Sequence, residues 1–472
     1  MLDRNGPVAN SAALDGFWLP SLAGRLETRE RAFGPDHMPV RVPVLTPHTF
    51  RELLVELKRT GREVLATRSV NEILASIENV AGRVASSKDL LHDELVATLP
   101  GLTGYSEQMI AVGLERMSEG WTARALREGL EGEFGALDVL DAFQARQTGG
   151  YQRAFGPELT VHIFSGNIPG VSVSSLVRAL CVKSPSFGKT AAGEPYLAVC
   201  FARALAEHDE ELARCLAVSY WPGGSEDLEA IAFSEAGAVI TYGSDESIGS
   251  IACRVPPGVS FLGYPNRVGA ALLARSMLNS EAADELARGI ALDVVSFDQQ
   301  GCVSPHIVYA ERGGQVSPLE FAQQIAIHLD GLSRDIPRGT MSPGESTSIH
   351  QLRAQAEVRG ATVLGSQPGT EWSVIVEERV QFDASPLNRV IQVRAVERLA
   401  DALAALAVVG RRLQTVAIAA SERELETLAV KLGAIGATRI VPIGQAAWPS
   451  PHWHHDGRFQ FMDLVRFTDL ER

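Results

Sequence analysis

Leu159-Thr-Val-His-Ile-Phe-Ser165-Gly-Asn167-Ile-Pro-Gly170-Val-Ser-Val-Ser-Ser-Leu-Val-Arg-Ala-Leu180 decides the fold. Leu159–Ser165 is a short apolar, β-rich run. Gly and Pro then turn the chain, and Val171–Leu180 places apolar residues at helical spacing. A strand that feeds a helix through such a turn is half of a β-α-β unit. Downstream the spacing predicts a short strand at Cys181–Lys183, a helix at Glu194–Glu207 and a strand at Leu216–Trp221. A helix at Ser225–Glu235 with Ser225 as N-cap, a strand at Ala238–Tyr242, a helix at Asp245–Arg254 and a strand at Val259–Gly263 follow. This order predicts an α/β fold with a doubly wound parallel sheet and helices on both faces.

Upstream, residues 1–47 read as an extended arm with a strand at Met38–Leu45. Residues 48–148 read as helical: Phe50, Leu53, Leu54 and Leu57 share one face, and a second helix is predicted over Val70–Ala85. Downstream, Arg267–Ala291 reads as largely helical. A second α/β unit follows, with strands at Val390–Val393, Thr415–Ala420 and Arg439–Ile443 and helices at 316–332, Ser348–Arg359, Val396–Val409 and Ser421–Leu432. Three regions are expected: 1–266, with the arm, the helices and the first sheet; 267–440, the second α/β unit; and 441–472, a C-terminal segment that returns to the first unit or to an oligomer interface.

Bulk composition bounds the function. Lys plus Arg is 43 against 57 Asp plus Glu, a formal charge of −14, which argues against nucleic acid as the main partner. The five cysteines (181, 200, 215, 253 and 302) are odd in number and none is spaced as C-x-x-C. That excludes a disulfide framework and fits a reducing cytoplasm. The start, Met-Leu-Asp-Arg-Asn-Gly-Pro, lacks a basic stretch followed by an apolar one, so no signal peptide is expected. No apolar run of about 18 residues suggests a transmembrane helix.

Four segments can carry chemistry. In Ser296-Phe-Asp-Gln-Gln-Gly-Cys302-Val-Ser-Pro-His306, the cysteine follows a Gly in a polar loop between apolar runs. As a thiolate it is a nucleophile, and the backbone N–H groups of the Gly-Cys turn can hold an oxyanion. The competing reading is a buried small hydrophobe, which the other four cysteines suit better. Ser165-Gly166-Asn167-Ile-Pro-Gly170 lies at a strand-to-helix turn where α/β proteins bind ligands, although it lacks the G-x-G-x-x-G spacing. In Val182-Lys183-Ser184-Pro-Ser186, a lysine at a strand end can meet a ribose or a phosphate, with Lys189 able to add charge; two solvated surface lysines are the alternative. Tyr242-Gly243-Ser244-Asp245 opens a helix whose N-terminus can face an anion. His452-Trp-His454-His455-Asp456-Gly457 invites a metal reading, but without ligands from a second segment no metal site is expected.

Taken together, these strings resemble the aldehyde dehydrogenase superfamily, and within it the acyl-thioester reductase (LuxC-like) branch, over about residues 45–470. The carriers are Ser165–Gly170, Val182–Pro185, Thr241–Ser244, Phe297–Cys302 and His455–Gly457. The resemblance implies an aldehyde dehydrogenase-like fold, with a doubly wound cofactor domain and a second α/β domain that carries the nucleophile. It implies reduction of a fatty acyl thioester to the aldehyde through an acyl group on Cys302, with Asn167 as oxyanion donor. Lys183, Ser184, Gly243, Ser244, Ser165 and Gly166 would bind the cofactor. A fatty acyl-CoA or acyl-carrier substrate, an acyl-protein synthetase subunit as partner, and homo-oligomers are also implied.

Departures from the hydrolytic members sharpen this. Where they carry a water-activating Glu in Glu-Leu-Gly-Gly, this chain has Phe261-Leu-Gly-Tyr-Pro-Asn266. Where they carry Glu-x-Phe-Gly-Pro, it has Ala384-Ser-Pro-Leu-Asn-Arg389. The acidic residue often found three positions after the cofactor lysine is Ser186, which favours NADPH over NADH. Oxidation of aldehydes to acids or acyl-CoA, and a non-catalytic scaffold of a multienzyme complex, are the alternatives.

Overall fold

Two mostly parallel sheets carry the chain, and the ends of one face the ends of the other. The computed structural model describes residues 13–22, 24 and 26–471, so the signal-peptide reading at Met1–Pro7 lies outside it. The first sheet has the strand order Ser260–Pro265, Ala238–Gly243, Thr160–Ile163, Ser186–Lys189, Leu216–Ser219, all parallel. From Thr160–Ile163 the chain winds outward through two strands, then returns to pair on the other side of its first strand. The order therefore reverses between Thr160–Ile163 and Ala238–Gly243, and a crevice for a ligand opens beyond the carboxyl ends of these strands.

The second sheet has seven strands. Thr362–Gly365 is antiparallel to Ser373–Glu377, and then Val390–Val396, Pro305–Glu311, Val268–Leu273, Leu413–Ala419 and Arg439–Pro442 run parallel. A third sheet joins the C-terminal strand Arg466–Leu470 to Tyr151–Phe155 and Gln144–Ala145.

The helical region matches its sequence pattern. Val70–Ala85 forms one helix, started by a capping box between Ser69 and Glu72. Its buried residues Val70, Ile73, Leu74, Ile77, Val80, Ala81 and Val84 recur at three and four, which seats it in the core. No helix among the described residues is long and apolar enough to cross a membrane.

Two expectations are corrected. Cys181–Lys183 is not a strand: Cys181 ends the helix Val171–Cys181, and the strand is Ser186–Lys189. Nor is the start of Arg267–Ala291 helical, because Val268-Gly-Ala-Ala-Leu-Leu273 is a central strand of the second sheet. Its Ala and Leu residues favour helix alone, but strands on both sides override that preference.

Candidate active site

Cys302 is half-buried and precedes the strand Pro305–Glu311. Arg267 and Asp456, whose charges act on its thiol, line a cleft of 470 Å³. One wall is Gly263 and Pro265, at the carboxyl end of the first sheet; the other includes Arg267, Arg411 and Thr438, just before strands of the second sheet.

The loop that presents Cys302 is built from two left-handed turns. Phe297, Asp298 and Gln299 have φ of 47, 50 and 67°, and Leu387, Asn388 and Arg389 have 64, 54 and 65°. Three consecutive non-glycine residues in this region are strained, so other bonds must hold them. They do so by joining the turns. Arg389 ion-pairs with Asp298 at 2.7 Å, Asn388 N–H donates to the Asp298 carbonyl, and Val390 N–H donates to Gln299 Oε1. Gln300 Nε2 donates to Asn388 Oδ1. Gln299 Nε2 donates to the carbonyls of Pro305 and Val390. Ala384–Arg389 thus clamps the loop that presents Cys302.

The thiol's neighbours come from distant segments. The Gln414 amide acts on the Cys302 sulfur in the sense that favours the thiolate. The same Gln414 Nε2 donates to Asp456 Oδ1, while Arg267 Nε donates to Asp456 Oδ2 at 3.0 Å. Gln414 is 1% exposed. Because Asp456 only accepts, it turns the amide nitrogen toward itself and the sulfur. Burial and the Asp456 charge push the Cys302 thiol up to about 11, against the Gln414 amide, the Cys302 backbone N–H and the Arg267 charge. The resting group is a protonated thiol at neutral pH.

Asn167 is exposed, at the rim, and its Nδ2 donates to the Gln300 carbonyl at 3.0 Å, two residues before Cys302. Tyr105 Oη donates to the Asn167 carbonyl at 2.6 Å and fixes the turn. Ser165 and Gly166 lie in this turn, half-buried. A side chain at Gly166 would strike the Gly193 backbone at 2.8 Å, so glycine lets the two loops cross. Gly243 ends its strand and Ser244 caps the helix Asp245–Ala252 through Ser247 N–H, at the same sheet end.

Lys183 and Ser184 are not brought there. They precede the strand Ser186–Lys189, at the opposite end of the sheet from the crevice. Lys183 ion-pairs with Asp141 at 2.6 Å, and Ser184 is fully buried against Thr160 Oγ1 at 2.7 Å. The lysine at the crevice is Lys189, which ends that strand beside Ile163. Phe164 N–H donates to its carbonyl. The residue three positions on is Ala192, which is uncharged.

The His-rich segment is spread over separate contacts. His455 stacks on Tyr264 at 4.3 Å and on Trp453 at 4.6 Å, His454 packs edge-on to Phe459, His452 lies by Glu128, and Asp456 is held by Arg267.

The two α/β sheets and their strand orders define an aldehyde dehydrogenase-like fold. The structure superimposes on aldehyde dehydrogenase 21 from Physcomitrella patens with a TM-score of 0.73 at 14% identity, covering 97% of this chain and 98% of the other. It also superimposes on an indole-3-acetaldehyde dehydrogenase solved with NAD+, with a TM-score of 0.71 at 13% identity, over 94% and 92%. The acyl-CoA reductase (LuxC) family model matches residues 65–467, and the chain belongs to that family. A long-chain acyl-protein thioester reductase of Aliivibrio fischeri is 27% identical over 413 residues, covering 86% of this chain and 83% of the relative.

Proposed function

We propose that the chain reduces a long-chain acyl thioester to the aldehyde, with Cys302 as acyl carrier, Asn167 as oxyanion donor and NADPH as reductant. Membership of the acyl-CoA reductase family and the similarity to acyl-protein thioester reductases support the reaction class. The observation that carries the reading is the half-buried Cys302 thiol, on which Asp456 and Arg267 of the cleft lining act, with Asn167 Nδ2 held on the Gln300 carbonyl two residues before it.

Cys302 Sγ attacks the thioester carbonyl. The bond to the donor sulfur breaks, and the donor thiol leaves with the proton that Cys302 gives up. Asn167 Nδ2 has one N–H on Gln300 and a second available; with the Cys302 N–H it meets the oxyanion, each such donor being worth roughly 3 kcal/mol. Phe261–Asn266 contributes no carboxylate to activate water, and Asp456 is spent on Arg267 and Gln414 at 2% side-chain exposure. The acyl group on sulfur is thereby kept for reduction. After reduction the carbon–sulfur bond breaks, the aldehyde leaves and the sulfur regains its proton.

A nicotinamide cofactor fits the residues present: Lys189 is a buried cation with no hydrogen-bond or ion-pair partner among the described residues, and the capped helix after Gly243 opens at the same sheet end. Lys189, Ser165, Gly166, Gly243 and Ser244 would hold it, and it supplies the hydride. The uncharged Ala192 favours the 2′-phosphorylated form. The acyl donor is a coenzyme A or carrier-protein thioester, an acyl-protein synthetase is the partner that would load it, and the three-stranded sheet with Arg466–Leu470 is the surface for self-association in the cytoplasm.

The test is incubation with a labelled long-chain acyl thioester without cofactor, followed by peptide mass spectrometry. One acyl group on Cys302, absent from Cys302→Ala, is the expected result. Label on another residue, or undiminished aldehyde formation by Cys302→Ala, overturns the assignment.

A further inference from the structure

The N-terminal arm places unpaired cations at the first sheet. Strands Thr28–Phe33 and Met38–Pro43 form an antiparallel hairpin, with Leu14–Asp15 beside the second. Trp18 exchanges two backbone hydrogen bonds of 2.8 Å with Val218 and donates its indole N–H to the Ala213 carbonyl. A single bridge at Trp18 thus ties the arm to the outer strand Leu216–Ser219. Arg29, Arg31 and Phe33 alternate with Glu30 and Ala32, so they share one face of their strand. Phe33 packs edge-on against Tyr220 at 4.8 Å, just past the end of that outer strand.

Arg31 Cζ lies 6.0 Å from the Tyr220 ring centroid, and Lys189 Nζ lies 5.9 Å from the same centroid. Lys189 is 9% exposed. Burial pulls its pKa down and Glu229 alone supports its charge, but Glu229 is paired with Arg254. A buried ammonium without a hydrogen-bonded partner is costly, and an arriving anion offsets that cost. Arg29 lines a 540 Å³ cavity with Tyr220, Pro222, Gly224 and Ser225. Neither arginine side chain has a hydrogen bond or ion pair among the described residues. Glu226 and Asp227 also line that cavity. Their charge disfavours an anion inside that cavity, which leaves Arg29 at the edge of the pair of cations over Tyr220.

We infer that Arg31 and Lys189, with Arg29 as an outer member, clamp the 2′-phosphate on the adenosine ribose of NADPH. The inference rests on the nicotinamide reading above and names the residues that set its selectivity. Lys189 ends the second strand of the sheet, which is where doubly wound folds read the ribose 2′ position. A guanidinium suits a terminal phosphate because its planar fork donates two parallel bonds. The hairpin lies before residues 65–467, so the arginines belong to a part of the chain outside the family match.

The experiment titrates the whole protein with NADPH and with NADH, without acyl donor, by calorimetry. Arg31→Ala should raise the Kd for NADPH about tenfold, as for one lost charge-assisted contact, and leave NADH within about twofold. Arg29→Ala/Arg31→Ala should raise it further, and Arg31→Lys should recover part of the loss. Equal weakening for both nucleotides, or no change, overturns the clamp. Thermal melts check that each variant folds. If one does not, the unaltered chain decides: 2′,5′-ADP should bind more tightly than 5′-ADP, and equal affinity overturns the clamp. Failure of the unaltered chain to bind either nicotinamide nucleotide defeats the cofactor reading itself, an outcome distinct from binding both without preference.

Discussion

Gln414 and Asp456 meet side chain to side chain across 42 residues of sequence, the amide nitrogen of one donating to the carboxylate of the other. The pair affects the Cys302 thiol with opposite signs, since the Gln414 N–H favours the thiolate and the Asp456 charge opposes it. Gln414→Ala should therefore slow alkylation of Cys302 by iodoacetamide at pH 8, whereas Asp456→Asn, which keeps an acceptor for the amide but removes the charge, should speed it. Each change should be about threefold to tenfold, a shift of up to one pKa unit. The pH dependence of the alkylation rate checks both, and changes of the same sign would contradict this account.

Lys183 and Lys189 should separate stability from binding. Lys183→Ala removes the largely buried pair with Asp141 and should lower stability by about 1–3 kcal/mol, with cofactor affinity unchanged. Lys189→Met keeps the length of the stem and removes the charge at the crevice. It should weaken NADPH binding about tenfold with little change in melting temperature. Denaturant melts and calorimetric titrations on the same samples provide the comparison.

The clamp between the two left-handed turns predicts a larger stability effect. Arg389 is fully buried, pairs with Asp298 and donates to Ser333 Oγ and the Ile336 carbonyl. Arg389→Leu leaves Asp298 buried without its counter-charge, a loss of about 3–5 kcal/mol. Urea unfolding should show it, and a cost below about 1 kcal/mol would mean that the turns are held by their backbone bonds alone.

Acid should destabilise the protein as its buried histidines resist charging, offset in part by Asp293, whose carboxyl is pushed up to about 7 by burial. Burial lowers His162 to about 3, His306 to about 4 and His455 to about 3. Ser385 N–H donates to His306 Nδ1, which requires that nitrogen to be unprotonated. In the unfolded chain each titrates near 6.5, so its contribution is complete above that pH and is lost as pH falls toward the folded value. Between pH 6.5 and 5, stability should fall with a slope of up to about 1.4 kcal/mol per pH unit for each histidine. His455→Phe, which keeps a ring between Tyr264 and Trp453, should remove about a third of the histidine contribution to that slope in melts taken from pH 7 to 5.

Much of the architecture was legible because periodicity and capping are local. Val70–Ala85 announces itself by Ser69, Glu72 and its apolar stripe, and Val171 starts a helix after Gly170 as its turn demands. For a local reason, the lysine at the crevice was not legible. Ser186-Phe-Gly-Lys189 is fully buried, yet only Phe187 is apolar, while the apolar Cys181-Val182 belongs to a helix end. The readable signal was a lysine just before Thr190-Ala-Ala-Gly193, a turn after a possible strand. Gln414 and Arg267 left no trace, since each is an ordinary polar residue; Asp456 stood out only within a His-rich string weighed for metal, and the fold alone brings all three to Cys302.

Asp456 lies within the C-terminal stretch, beyond the last strand of the second sheet. During synthesis, the thiol therefore reaches its final surroundings only after that aspartate has left the ribosome and folded back on Arg267. A nascent chain stalled before it would display Cys302 among incomplete neighbours, without the carboxylate that keeps the sulfur protonated. Truncations ending on either side of residue 456 would expose this difference as a step in thiol reactivity.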